Sequence, residues 1–278
     1  MKDTVILYHS NCNDGFGGAW AARRHFGNKA DYIAVRHHEV PPLGLDDKDV
    51  YIIDFSYPEE DTKKLLEIVK SLTQLDHHVT VKDITESIPN HVYALDHSGA
   101  VLAWKYFFPE EEIPTYLKYV EDIDLWKFQM PRAEDFLAFS ATAPFDFEKL
   151  DSTVEDFENE EKRTSFLDRG KNLLEYQNKL IEEMLENGEE VELDGYNAFL
   201  VNSPVLPSQL GNAMVKKGYA IGITWAYSND VIKISMRSDK DGDVHVGEIA
   251  KKYGGGGHKS AAGFTVRNES EFPWQAKK

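Results

Sequence analysis

Through the first 120 residues, short apolar runs alternate with segments of helical period, and a carboxylate or an imidazole stands where several of those runs end. Residues 5–9, 32–35 and 51–55, the stretch ending at Leu75, and residues 92–95 read as buried strands. Residues 16–26, 59–72, 99–107 and 113–120 read as helices; Leu65, Leu66, Ile68, Val69 and Leu72 recur at helical spacing. Repeated strand–helix units imply a parallel sheet with helices on both faces. Open sheets of this class bind ligands at the carboxyl ends of their strands, where the polar residues of this chain gather.

The second half differs. Residues 155–188 are charged and of helical period, with Leu167, Leu173, Leu174, Leu180, Ile181 and Leu185 on one stripe and Gly188 as the expected stop. They suggest a connector over residues 151–190, with a solvated coiled-coil arm as the alternative. Beyond it, strands at 198–201, 219–227, 231–236 and 262–266 and helices at 209–217 and 246–253 describe a smaller α/β unit. The expected organisation is therefore α/β throughout. A parallel-sheet domain occupies residues 1–150, a helical connector 151–190, and a smaller mixed-sheet domain 191–278. A length of 278 residues suits two domains better than one core.

Charge and cysteine usage narrow the function. A net charge of −17 repels a long polyanion, which argues against long duplex nucleic acid but leaves room for a small phosphorylated ligand held by metal ions. No apolar run is long enough to span a bilayer, and residues 1–9 enter a strand without the apolar core of a signal peptide. Cys12 is the sole cysteine, so no intrachain disulfide forms. A cytoplasmic protein without a membrane partner is the expectation; a homodimer stays open.

Five clusters carry the chemistry. Residues 9–18 place His9, Asn11, Cys12, Asn13 and Asp14 between the first strand and first helix, with Gly15, Gly17 and Gly18 permitting close backbone approach. A capped glycine turn explains this stretch equally well. Asp54 ends an apolar strand, where it must meet solvent, a helix end or a cation. Asp76-His77-His78 sets two imidazoles after a carboxylate, and neutral imidazole is a common metal ligand. Glu121, Asp122 and Asp124 precede Trp126. Last comes Gly254-Gly255-Gly256-Gly257-His258, whose successive amides can form an anion-binding nest, with Arg237 as a bidentate clamp; a flexible hinge is the bland alternative. His37-His38 is expected at the surface, and Ser98 beside His97 as a helix cap.

In this order, the clusters resemble the DHH phosphoesterase superfamily, over most of the chain. His9 and Asp14 stand for its first motif, Asp54 for the second, Asp76-His77-His78 for the third, and Asp122 or Asp124 for the fourth. Arg237-Ser238 and residues 254–264, from Gly254 through His258 to Phe264, match its C-terminal DHH-associated domain. The first motif departs from the family pattern: it is one residue shorter and carries one acid, with Asn11 and Asn13 nearby.

The resemblance implies two divalent cations, Mn²⁺ with Mg²⁺ or Co²⁺ as substitutes, held by His9, Asp14, Asp54, His77 and Asp124, with Asp122 the alternative to Asp124. Asp54 would bridge the ions and Asp76 would orient His77. His78 would contact the phosphate as donor or general acid. Arg237, Ser238, Gly255, Gly256, Gly257 and His258 would bind the substrate. The implied activity is hydrolysis of short nucleotides by metal-activated water: oligoribonucleotides, bisphosphorylated nucleosides or cyclic dinucleotides. An inorganic pyrophosphatase and a metal-depleted nucleotide-binding module are the alternatives.

Overall fold

The structure, a computed structural model, describes residues 1–36 and 39–276; His37 and His38 lie outside the described residues. The chain divides into two compact units, Met1–Leu174 and a second from Glu175 onward.

The first unit contains β1 (Thr4–His9), α1 (Asn13–Phe26), β2 (Ala30–Val35), β3 (Asp49–Ile53), α2 (Glu59–Ile68), β4 (Ser71–Asp76), α3 (Lys82–Ser87), β5 (Asn90–Tyr93), α4 (Gly99–Phe107), α5 (Thr115–Asp124), α6 (Ala133–Ser140) and α7 (Phe147–Glu158). Its sheet has the order β2-β1-β3-β4-β5 with every pair parallel. Side chains alternate across each strand, so Val5 and Leu7 enter one core with Val50, Ile52, Leu65 and Leu72. Ile6 enters the opposite core with Ile53, Leu75, Trp20 and Leu117. Both faces are covered, which is why β1 reads as a continuous apolar run rather than an alternating one. The chain adds β2 on one side of β1 and β3 on the other. That reversal opens a crevice at the carboxyl ends of β1 and β3, where His9 and Asp54 stand.

Boundaries moved where pairing outweighed periodicity. The second helix was expected to run to residue 72, but α2 ends at Ile68, Val69 is extended, and Leu72 pairs with Val50 across the sheet. The short α3 and α6 carry too few turns to stand out by period. Of the expected connector, Val154, Phe157 and Leu167 are buried in the first unit's core, whereas Ile181 and Leu185 are buried with Val201, Leu210 and Met214. The helix α8 (Glu160–Leu185) runs from one unit into the other.

The second unit continues with β6 (Glu189–Leu193), β7 (Tyr196–Asn202), α9 (Pro207–Lys216), β8 (Ile221–Ser228), β9 (Val231–Arg237), α10 (Val246–Lys252), β10 (Gly256–Gly257), β11 (Ala261–Val266) and β12 (Gln275–Ala276). Its sheet order is β10-β11-β9-β8-β7-β6-β12, mixed because β7 and β8 alone run parallel. β6 has little strand signal in the sequence because acids occupy its outer positions; only Val191 and Leu193 are buried. Gly188 lies beyond the end of α8 and sits against Phe199, whose ring a Cβ at Gly188 would meet at 2.2 Å. Among the described residues, no helix is long and apolar enough to cross a membrane.

Candidate metal centre

The sheet delivers its donors by ending. His9 is the last residue of β1, and Asp76 the last of β4, with His77 and His78 just beyond. Asp54 follows β3 in a left-handed conformation, φ 65°, and its amide donates to Leu75 O of the neighbouring strand at 3.0 Å. This bend turns the Asp54 carboxylate across the strand ends. Asp14 comes from the first turn of α1 and Asp124 from the last residue of α5.

Asp54 is the common member of the cluster. Its Oδ2 lies 3.3 Å from His9 Nδ1 and its Oδ1 3.2 Å from His77 Nε2. His77 Nε2 also lies 3.5 Å from Asp124 Oδ2 and 3.6 Å from Asp14 Oδ2. Donors therefore group as His9, Cys12 and Asp54; as Asp54, His77 and His78; and as Asp14, His77 and Asp124. Burial alone would raise the Asp54 carboxyl, but hydrogen bonds from His77 and His9 outweigh it and hold the group below the ordinary carboxylate range. Asp14 moves the other way, raised by burial and then by the charges of Asp54 and Asp124. Asp124 is raised to about 6 by its surroundings' exclusion of water and by the Asp54 charge. Three carboxylates this crowded repel one another, and a cation among them removes the conflict. Oxygen and imidazole donors suit a hard or borderline divalent ion, so the residues fit the expected metals.

Asp76 holds a different ring from the one expected. Its Oδ1 accepts from the His77 and His78 amides, at 2.7 and 3.0 Å, and lies 2.8 Å from His78 Nδ1. Its contact with His77 is thus through the backbone, because the turn after β4 folds His78 back over the carboxylate. Oδ2 accepts from Ser56 and Gln74. The Asp76 hydrogen bond raises His78 to about 9.

The fourth cluster separates into two tasks. Both Asp122 oxygens are taken by backbone, Oδ1 by the Gln129 amide at 2.8 Å and Oδ2 by the Met130 amide at 3.0 Å. Asp124 is the acid that reaches His77. Glu121, the third acid, accepts from the Ser98 amide at 3.1 Å and lies 2.9 Å from His97 Nδ1. That anchors the entry to α4, beyond the Ser98 cap on Val101.

Asp14, a donor of this cluster, also grips α4, a contact that no local pattern in the sequence signals. Its oxygens accept from the Gly99 and Ala100 amides at 2.6 and 2.9 Å. They serve as a helix cap supplied from another helix. Gly99 makes room for this: a Cβ there would lie 2.7 Å from Asp54 Cβ and 2.9 Å from Asp14 Oδ2. Gly15 does the same beside His9, where a Cβ would meet the His9 carbonyl oxygen at 2.4 Å. Asn13 donates to Ser140 Oγ at 3.1 Å, while Cys12 keeps company with His9 and Asp54. Burial and then the Asp54 and Asp14 charges push the Cys12 thiol up, which disfavours the thiolate in the metal-free protein.

In the second unit, the glycine run does not form the anion nest its composition suggests. Gly254, at φ 78°, ends α10 and donates to Lys251 O; Gly255 donates to Ala250 O, and His258 to Ala261 O. Gly256 and Gly257 pair with β11. The Gly254, Gly255 and His258 amides are spent on a helix cap and a narrow hairpin, and Gly255 is packed so closely that a Cβ would meet Gly263 O at 2.1 Å. Ser238 is buried and donates to Val244 O. Arg237 donates to Ser208 Oγ and Met236 O, and His258 is exposed.

The DHHA1 domain family matches residues 201–275, the span that holds Arg237 and the glycine run. The strand-end cluster of the first unit carries Asp76-His77-His78, the string on which the resemblance to the DHH phosphoesterases rests. The chain belongs to the DHH phosphoesterase superfamily. It is 31% identical to uncharacterized protein R106 of Acanthamoeba polyphaga mimivirus, over 93% of this chain and 66% of that protein. It is 23% identical to oligoribonuclease NrnB of Bacillus subtilis (strain 168), over 95% of this chain and 73% of the relative. It thus spans about two-thirds to three-quarters of these relatives' lengths. Exonuclease RecJ bound to manganese shares the fold, with a TM-score of 0.54 at 16% identity over 97% of this chain and 87% of that one. This DHH protein therefore pairs a parallel α/β unit with a mixed-sheet DHHA1 unit, as the strand–helix patterning of the sequence implied.

Proposed function

We propose that this DHH protein is a divalent-metal-dependent phosphohydrolase that cleaves phosphodiester or phosphomonoester bonds of short nucleotides. The observation that carries the reading is Asp54, whose two oxygens face two different imidazoles, His9 and His77, at 3.3 and 3.2 Å. One carboxylate shared between two donor groups is the arrangement a two-ion site needs. His9 and Asp54 would hold one ion, and Asp14, His77 and Asp124 the other, with Asp54 common to both. Mn²⁺ is the expected ion, with Mg²⁺ and Co²⁺ as substitutes. When bound, divalent cations supply Lewis-acid chemistry, acidifying water and offsetting charge on a phosphoryl group.

The chain's own groups complete the work. Asp76 fixes the His78 ring and, in the metal-free protein, raises its pKa to about 9, so His78 is placed to donate to a phosphate oxygen or leaving group. Arg237 and His258 are proposed to take a terminal phosphate of the substrate. The name of the NrnB relative, an oligoribonuclease, supports short oligonucleotides, and the manganese in RecJ supports the ion. A screen of short oligoribonucleotides, cyclic dinucleotides, bisphosphorylated nucleosides and pyrophosphate with Mn²⁺, Mg²⁺, Co²⁺ and Zn²⁺ tests the reading. Metal-stimulated release from a nucleotide supports it; nucleotide binding without hydrolysis under any of these ions overturns it.

Two further outcomes are expected. Arg237→Ala raises KM for nucleotides about tenfold or more with a smaller change in kcat, because the guanidinium contributes binding rather than bond cleavage; an unchanged KM counts against it. Ion binding also weakens in acid. Asp124, raised to about 6, and Asp14, also raised, hold protons that a cation must displace. Affinity therefore falls as pH drops through about 6, by about tenfold per pH unit for each proton released. Calorimetry in buffers of different ionisation heat counts those protons, and pH-independent affinity between pH 5 and 7 contradicts the expectation.

A further inference from the structure

We infer that Trp126 is a nucleobase platform beside the candidate metal centre, which makes a base-bearing nucleotide, rather than pyrophosphate or another base-free phosphate, the substrate class. The inference rests on the phosphohydrolase reading above and deepens it.

Trp126 follows Asp124 by two residues, so their Cα atoms are at most about 7.6 Å apart. It is 49% exposed, although indole is among the side chains with most to gain from burial. Its backbone is left-handed, φ 55°, and Phe128 follows at φ 50°. Bulky residues rarely adopt this conformation, and here the surrounding turn imposes it. The Asp122 carbonyl accepts from the Lys127 amide at 2.8 Å, and the Asp122 carboxylate takes the Gln129 and Met130 amides. Asp122, whose oxygens are spent on these amides, thus fixes the backbone turn that carries the half-exposed indole. Phe128 packs against it edge-on, with ring centroids 4.8 Å apart.

The neighbouring loop presents a second apolar group. Lys127 Nζ donates to Asp96 O at 3.2 Å, tying the Trp126 turn to the loop after β5, where Leu95 is 56% exposed. Val79, 68% exposed, directly follows His78 at the end of β4, the neighbour of β5 in the sheet. Three exposed apolar side chains therefore follow the ends of elements that deliver or flank the donor cluster. A phosphate needs none of them. A nucleobase attached to that phosphate presents an apolar face, and stacking on indole is tolerant of base identity.

The test compares Trp126→Ala and Trp126→Phe with the unaltered protein, using a dinucleotide and an abasic dinucleotide of the same backbone, both with Mn²⁺. Trp126→Ala is expected to lower kcat/KM for the dinucleotide about tenfold, mainly through KM, and to leave the abasic substrate unchanged; Trp126→Phe restores most of the loss. Equal losses on both substrates would mean that Trp126 packs against protein, and no loss on either would mean that it meets nothing; each overturns the proposal. A fluorescence titration separates this from failure of the catalytic reading. A dinucleotide with a phosphorothioate linkage should quench the unaltered protein, and the component belonging to Trp126 should vanish in Trp126→Phe. That result supports the platform even if no substrate is hydrolysed, and its absence overturns it.

Discussion

Asp54→Asn abolishes metal-stimulated hydrolysis, with a loss of about a thousandfold or more, while the fold survives. Mutating groups that merely support a metal ligand costs about 10- to 100-fold, and Asp54 is placed to serve two donor groups at once. Asparagine keeps the shape and tolerates the φ of 65° at this position. Its amide, however, offers one neutral acceptor and a donor where two cations need anionic oxygen. Removing the charge also relieves Asp14 and Asp124, both of which Asp54 raises. The metal-free melting temperature should therefore change little, while the stabilisation that Mn²⁺ confers should disappear. Thermal melts with and without Mn²⁺, read beside turnover, check both halves. His77→Ala should behave alike, since His77 Nε2 is the neighbour of three carboxylates. Retained activity in both variants would sink the two-ion assignment.

Gly99→Ala destabilises the first unit by about 1–3 kcal/mol and impairs the site with it, despite opening a helix. Alanine has the better helix propensity, by about 1 kcal/mol in a helix interior. Against that, the new methyl would lie 2.7 Å from Asp54 Cβ, 3.2 Å from Asp54 Cα and 2.9 Å from Asp14 Oδ2. Two of those atoms belong to a bent backbone segment or its first side-chain carbon and have little freedom to yield, so overpacking wins. Any retreat of Asp14 also loosens its hold on the Gly99 and Ala100 amides. Gly256→Ala is the control, because nothing lies within 4 Å of its Cβ position. Urea unfolding of the two variants should separate them clearly; equal stability would mean that the strand ends adjust more freely than their packing implies.

Much of the first unit was legible because its signals are local. The run from Val5 to Leu7 is apolar at every position, and only a strand covered on both faces needs that. The segments that misled were those in which a local pattern met a distant partner. Leu72 keeps helical spacing with Leu65 yet pairs with Val50 in the sheet. The glycines at 254–257 have the composition of an anion nest, but the end of α10 claims the first two amides and β11 pairs with the next two residues. Glu190 and Glu192 hid β6, since only every second residue there is buried.

The site divides along the same line. Which residue types stand at or just beyond the ends of strands and helices, and in what order, was readable from the chain itself: His9, Asp14, Asp54, Asp76-His77-His78 and the acids before Trp126. Their chemistry is a property of the side chains, and their placement follows from where the strands and helices begin and end. What each carboxylate does depends on atoms far away in sequence. Asp122 spends both oxygens on the turn that presents Trp126, whereas Asp124 reaches His77. Asp76 holds the ring of His78 and only the amide of His77. Asp14 serves a helix that begins 85 residues later. A carboxylate takes whichever donors the folded backbone leaves within reach, and only the tertiary structure decides which those are.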